Sequence, residues 1–201
     1  MNTYVSFVSC SLVSCLLLSL AFFSPGTHAT TSLQVVMLGS GHPHFEEALK
    51  EAQRDHPDFF RAIITFSEKL AHRIIAASDI LLMPSRFEPC GLNQMYALRY
   101  GTVPVACATG GLRDTIDDVS PFEDGAEPRG TGWTYSPATP AALVSAMKRA
   151  VAVYRDEPER WRQLQVAGMA EDFGWHRAAL AYEEVFRAAS ADPRDPLPAV
   201  L

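Results

Sequence analysis

From Leu33 onward, short apolar runs alternate with amphipathic stretches, the pattern of a parallel sheet covered by helices. Leu33–Leu38 reads as a strand that Gly39-Ser40-Gly41 turns out of the sheet. His44–His56 follows as a helix with Phe45, Ala48, Leu49 and Ala52 on one stripe, ended by Pro57. The spacing predicts a second strand over Arg61–Phe66 and then a helix capped by Ser67 and running through Ala77, with Leu70, Ile74 and Ala77 on one face. Asp79–Met83 is a third strand, apolar at almost every position, as expected where both faces are covered. Pro84–Cys90 is a loop, Gly91–Tyr100 a helix stopped by Gly101, and Val103–Ala108 a fourth strand. Thr109-Gly110-Gly111 turns into a short helix reaching Asp118, and Ser120–Gly130 is a polar surface loop. Trp133–Tyr135 is a last short strand, and Thr139–Tyr154, Pro158–Ala170 and Trp175–Ala189 are three closing helices. The pattern is that of an open α/β fold with helices on both faces of a parallel sheet.

The first 32 residues do not share this rhythm. Val5–Phe23 is almost wholly apolar and breaks at Ser24-Pro25-Gly26, with Thr27-His28-Ala29 offering a small-residue cleavage site. The leader holds no Lys or Arg, so the basic start of a secretory signal is missing, as is the Arg content of a plastid transit peptide. Three readings stand: a targeting sequence, a mis-joined gene start, and a membrane anchor, for which the run is borderline at the roughly 20 residues a span needs. The expected organisation is a leader at 1–32, one domain at 33–190 and a Pro-rich tail at 191–201.

Composition narrows the partners. The 17 basic and 23 acidic side chains give a formal charge of −6, with the cations scattered rather than clustered, which argues against nucleic acid. A membrane partner is expected only if the leader is retained. The four cysteines have no zinc-type spacing, and no metal or cofactor is expected.

Ligands of an open parallel sheet sit beyond the carboxyl ends of its strands, which here places Gly39–His42, Phe66–Ser67, Ser85–Asn93 and Thr109–Gly111 in one neighbourhood. Several of these loops open helices, whose unpaired N–H groups suit a phosphate. In Glu88-Pro89-Cys90-Gly91-Leu92-Asn93, Gly91 permits close backbone approach and Leu92 and Asn93 bring N–H groups, so a diphosphate fits there. A lone Gly-rich turn would do no more than shape a connection. Glu88, just ahead of that helix, suits the hydroxyls and developing positive charge of a glycosyl donor, or else pairs with Arg86. Phe66 either stacks on a flat base or packs in the core. His72 reads as a packing histidine, and Cys90 as a packing residue, because no base stands at suggestive spacing.

The run Leu81-Leu82-Met83-Pro84-Ser85-Arg86-Phe87-Glu88-Pro89-Cys90-Gly91-Leu92-Asn93-Gln94-Met95-Tyr96-Ala97-Leu98-Arg99-Tyr100-Gly101-Thr102-Val103-Pro104-Val105 closely resembles the bacterial glycogen and plant starch synthases. Thr109-Gly110-Gly111-Leu112-Arg113-Asp114-Thr115 is similar to a second block of that family, and the likeness extends from Leu33 to Ala189. Gly132-Trp133, Asn93 and Arg113 look more like the plant or algal soluble starch synthases.

The resemblance implies the C-terminal, Rossmann-like donor half of a GT-B glycosyltransferase that moves glucose from ADP-glucose to the non-reducing end of an α-1,4-glucan with retention. It implies Glu88 as the catalytic carboxylate. Cys90, Gly91, Leu92 and Asn93 then form the diphosphate and glucose loop, with Thr109, Gly110 and Gly111 beside them and Phe66 against adenine. Tyr96 falls where related enzymes carry a second acid eight residues after the first. The family's Lys-x-Gly-Gly-Leu domain, which helps hold donor and glucan, is not found in this sequence, nor are the Arg and Lys of the first strand-loop. The fold is therefore expected to lack that strand-loop, and the chain to be inactive alone. A non-catalytic ADP-glucose-binding or scaffold protein is the alternative. The resemblance implies a plastid location, chloroplast or amyloplast; a true signal peptide would instead mean the secretory route.

Overall fold

A computed structural model describes residues 3–8, 33–119 and 130–191. The first compact unit, within 1–170, is built on a six-stranded sheet. Its strands are β1 (Thr3–Val8), β2 (Leu33–Gly39), β3 (Phe60–Ile64), β4 (Ile80–Met83), β5 (Val103–Cys107) and β6 (Trp133–Tyr135). They lie in the order β3-β2-β1-β4-β5-β6 with every neighbouring pair parallel. The helices are α1 (Pro43–Asp55), α2 (Glu68–Ala76), α3 (Asn93–Tyr100), α4 (Gly111–Thr115), α5 (Pro140–Asp156) and α6 (Pro158–Ala170). A second unit, from Glu171, holds α7 (Trp175–Ala191).

Alternation along β4 shows why two helical layers form. Ile80 and Leu82 join one core with Val35, Met37, Phe60, Val103 and Val105 of the sheet, Leu143 and Met147 of α5, and Trp161 and Leu164 of α6. Leu81 and Met83 join the other, with Ile75 of α2, Ala97 of α3, Ala106 of β5 and Leu112 of α4. All four β4 side chains are at most 1% exposed, so each removes roughly 1.5–3 kcal/mol worth of apolar surface from water. Pro104 is tolerated inside β5 because β6 pairs with β5 only from Val105 onward, opposite Trp133, so no neighbour on that side awaits its missing N–H.

The leader behaves differently from expectation. Thr3–Val8 is the central strand, with Ser6 opposite Val36 of β2 and also opposite Leu81 of β4, so the sheet does have a first strand. The expectation that residues 1–32 stand outside the fold is corrected for this segment. Val5–Val8 opens the apolar run, and by residue type such a run reads equally as a strand or as a signal sequence. The rest of the leader, with its proposed cleavage site, lies outside the described residues, as do 120–129 of the expected loop and the tail from 192. Among the described residues no helix is long and apolar enough to cross a membrane.

Three other boundaries shift. The helix expected to reach Asp118 stops at Thr115, Ile116 is extended, and Asp118 bridges to Gly132. The strand expected to reach Phe66 ends at Ile64, which frees Thr65 and Phe66 to enter a loop. The helix expected from Gly91 begins at Asn93, because Gly91 takes a left-handed φ of 75°.

If β1 is the central strand, Ser6→Pro removes a ladder hydrogen bond between two neighbours and lowers stability by about 3 kcal/mol or more. Urea unfolding of the full chain measures this, and an unchanged midpoint would contradict the placement of β1.

Candidate functional site

The sheet changes direction between β1 and β4: from there one half steps outward through β2 and β3, the other through β5 and β6. A crevice opens beyond the carboxyl ends at such a switch. A cavity of about 320 Å³ lies on this side, a volume within the range of small-molecule sites. Leu38, Gly39 and Ser40 close it at the end of β2, and Thr65, Phe66 and Ser67 at the end of β3. Ala71, His72 and Ile75 of α2 and Leu92, Asn93 and Tyr96 at the start of α3 form the opposite wall.

Sequence chemistry explains how each wall is held. Ser67 caps α2 by accepting from the Leu70 N–H at 3.3 Å, which fixes the β3–α2 turn and leaves Phe66 88% exposed at the mouth. That exposure favours an aromatic face for a ligand over the core-packing reading of Phe66. α1, α2 and α5 each open with a side chain that accepts from their first turn. α3 opens at Leu92 with no such cap and no acid in its first turn. Its end of the cavity therefore presents backbone N–H groups and a partial positive charge.

His72 packs its ring on Tyr96 at 4.5 Å, and its Nδ1 lies 2.9 Å from the Tyr100 hydroxyl. These three rings seam α2 to α3, with Tyr96 and Tyr100 one turn apart on the same face of α3. His72 and Tyr96 thus belong to the cavity wall as well as to the packing, a double role that one sequence position does not reveal. The described lining residues include no Lys or Arg.

Glu88 sits beside the cavity rather than in its lining. It is half-buried, and its Oε2 accepts from the buried Ser85 hydroxyl at 3.2 Å, so Ser85 takes the place weighed for Arg86. The loop that carries it is clamped from β5. Gly111 donates its N–H to the Glu88 carbonyl at 2.9 Å, and the Thr109 hydroxyl reaches the Arg86 carbonyl at 3.4 Å. A Cβ on Gly110 would overlap the Glu88 carbonyl, and one on Gly111 the Cys90 carbonyl. These glycines fit because two stretches of main chain touch there. Cys90 is exposed, with Sγ 3.6 Å from the Gly91 carbonyl.

The structure therefore collects the anticipated residues into two adjoining groups. Phe66, Leu92 and Asn93 line the cavity. Glu88, Cys90, Gly91, Thr109, Gly110 and Gly111 form the main-chain knot next to it. Sequence reasoning missed Ser85 and Gln94, buried polar residues in the loop after β4 and in the first turn of α3; burial of a polar residue is the signal, and it needs coordinates to see. Among the described residues no three His, Cys, Asp or Glu side chains gather as metal ligands would.

A switch-point cavity flanked by an uncapped helix start and an exposed aromatic ring is the architecture of a nucleotide-binding α/β domain. The family described as "Glycosyl transferases group 1" matches residues 17–152, and the chain belongs to it. Its match begins inside the apolar leader. Starch synthase 1, chloroplastic/amyloplastic, of Arabidopsis thaliana is 47% identical over 161 residues, which are 80% of this chain and 25% of that protein. Glycogen synthase of Anaeromyxobacter dehalogenans (strain 2CP-C) is 55% identical over 155 residues, 77% of this chain and 31% of that protein. The catalytic domain of Starch Synthase IV from Arabidopsis thaliana, solved bound to ADP and acarbose, superposes with a TM-score of 0.77 at 31% identity, over 95% of this chain and 39% of that one. In sequence and fold the chain matches part of the starch/glycogen synthase-type glycosyltransferases, with the parallel α/β architecture of the GT-B enzymes. It spans about a quarter to a third of the length of these two relatives.

Gly111→Ala forces the two loops apart and costs about 1–3 kcal/mol through overpacking. Chemical denaturation of the variant measures the loss; an unaltered midpoint would show that the Glu88–Cys90 loop does not depend on this contact.

Proposed function

We propose that this chain is the donor-binding half of an enzyme that transfers glucose from ADP-glucose to the non-reducing end of an α-1,4-glucan with retention. The observation that carries the reading is the joint presence of the cavity, the unpaired N–H groups at Gly91 and Leu92, and Glu88 alongside. In the proposed arrangement adenine stacks on Phe66, and the diphosphate lies on the start of α3. As the bond from the sugar's C1 to the diphosphate breaks, the departing oxygen gains charge facing those N–H groups. Glu88 holds the sugar hydroxyls and balances positive charge at C1. The new bond joins C1 to the acceptor hydroxyl, whose proton passes to the leaving diphosphate. The reading includes no resident metal, so dialysis against EDTA leaves nucleotide binding unchanged.

The relative solved with ADP and acarbose supports this donor and acceptor class. The glucan is proposed to be gripped by the part of such relatives that this chain does not span. We propose further that the 201-residue chain does not elongate glucan alone. No Lys or Arg occurs between the end of β1 and the start of β2, and none stands in the described cavity lining. Cationic clamps on a leaving diphosphate are each worth about 100-fold in rate. Residence in a plastid is the reading taken from the plant relatives, and import of the labelled precursor into isolated chloroplasts checks it.

A second reading, an ADP-glucose-binding protein without catalysis, is favoured by that same shortage of cations. Calorimetry with ADP, paired with incubation of the chain with ADP-glucose and a glucan primer, separates the possibilities. The expected result is ADP binding without chain elongation. Elongation would overturn the claim of inactivity, and UDP binding in preference to ADP would overturn the donor assignment.

A further inference from the structure

Gln94 is completely buried in the first turn of α3 and is absent from the cavity lining. Its Nε2 lies 3.0 Å from the Cys90 carbonyl and 3.1 Å from the Gly91 carbonyl, and the Thr115 Oγ1 is 3.1 Å away. Thr115 in turn donates to the Gly111 carbonyl at 2.6 Å. The two hydrogens of a primary amide are thus directed at two successive main-chain carbonyls, while the Gln94 Oε1 is left buried without a hydrogen bond. The close neighbours at Nε2 are acceptors, and this fixes which end of the amide is nitrogen.

The consequence falls on the far side of the same peptides. In a trans peptide the N–H points opposite to the C=O. Holding the carbonyls of Cys90 and Gly91 inward therefore turns the N–H groups of Gly91 and Leu92 outward, and neither has a hydrogen-bond partner among the described residues. Gly91 has a left-handed φ of 75°, and Leu92 follows in the right-handed helical region at φ −117°, ψ −28°. Alternation of hand between adjacent residues curls successive N–H groups into a concavity that fits an anion. Left to itself, a loop with a glycine at its bend samples other conformations. The side chain of Gln94 is the internal brace that selects this one.

We propose that Gln94 is the positioning residue of the diphosphate site: it touches no ligand, and it holds the Cys90–Gly91–Leu92 main chain with its N–H groups aimed at the anion. The inference rests on the donor reading given above. It assigns to a buried amide the orientation of donors that an exposed cation would otherwise have to supply.

The test is titration of the full 201-residue chain with ADP and, separately, with adenosine, for the unaltered protein and for Gln94→Leu. Amide NMR spectra report the fold and the resonances of Gly91 and Leu92. In the unaltered chain those two resonances move when ADP is added. In Gln94→Leu the ADP affinity falls by about 10-fold or more, while adenosine affinity stays within about twofold and the two amide shifts no longer respond. Gln94→Glu keeps the shape but sets a carboxylate against two carbonyls; it shows the same selective loss and serves if the leucine variant does not fold. Equal weakening of ADP and adenosine in a folded variant, or no weakening of ADP, overturns the proposal and leaves Gln94 a packing residue. Failure of the unaltered chain to bind ADP overturns the donor reading and this inference with it.

Discussion

Main chain touches main chain where the loop after β4 meets the turn after β5, and the site depends on that contact. The carbonyls of Glu88 and Cys90 lie so near Gly110 and Gly111 that no side chain fits between. The Glu88 main chain is consequently held by backbone packing, and its carboxylate accepts from the Ser85 hydroxyl. Both loops leave strands whose side chains are almost entirely buried, so their anchors are as rigid as the sheet itself. Gln94 ties the start of α3 to α4 through Thr115, closing the ring of contacts from inside.

Much of this fold was legible in the chain because burial leaves a simple trace. Strands covered on both faces appear as unbroken apolar runs, and β4 and β5 are found where such runs stand. The helices were legible from their stripes and from Ser67 and Gly101 at their ends. β1 was misread because one apolar run serves equally as a strand and as a targeting segment, and pairing with Val36 and Leu81 separates the two. At the candidate site, the placing of Phe66 in the cavity lining and of Glu88 and Gly91 beside it was legible from their positions at strand ends. The work of Gln94, Ser85 and Gly111 was not, because it consists of contacts between loops distant in sequence. His72 shows the limit from the other side, since it both packs on Tyr96 and lines the cavity.

Membership of the group 1 glycosyl transferases fits this division of labour. The sheet and its loops form a nucleotide-sized cavity with oriented N–H groups and a nearby carboxylate. They bring few cations, and the chain covers only 39% of the solved starch synthase domain it resembles. The outward N–H groups belong to the start of α3 and its brace, whereas the described cavity lining holds no Lys or Arg.

A crystal structure of this chain soaked with ADP tests the central claim most directly. The account predicts the diphosphate within hydrogen-bond distance of the Gly91 and Leu92 N–H groups, the base against Phe66, and Gln94 unmoved. Diphosphate density elsewhere on the sheet, or a Cys90–Leu92 loop whose carbonyls have turned away from Gln94, would contradict it.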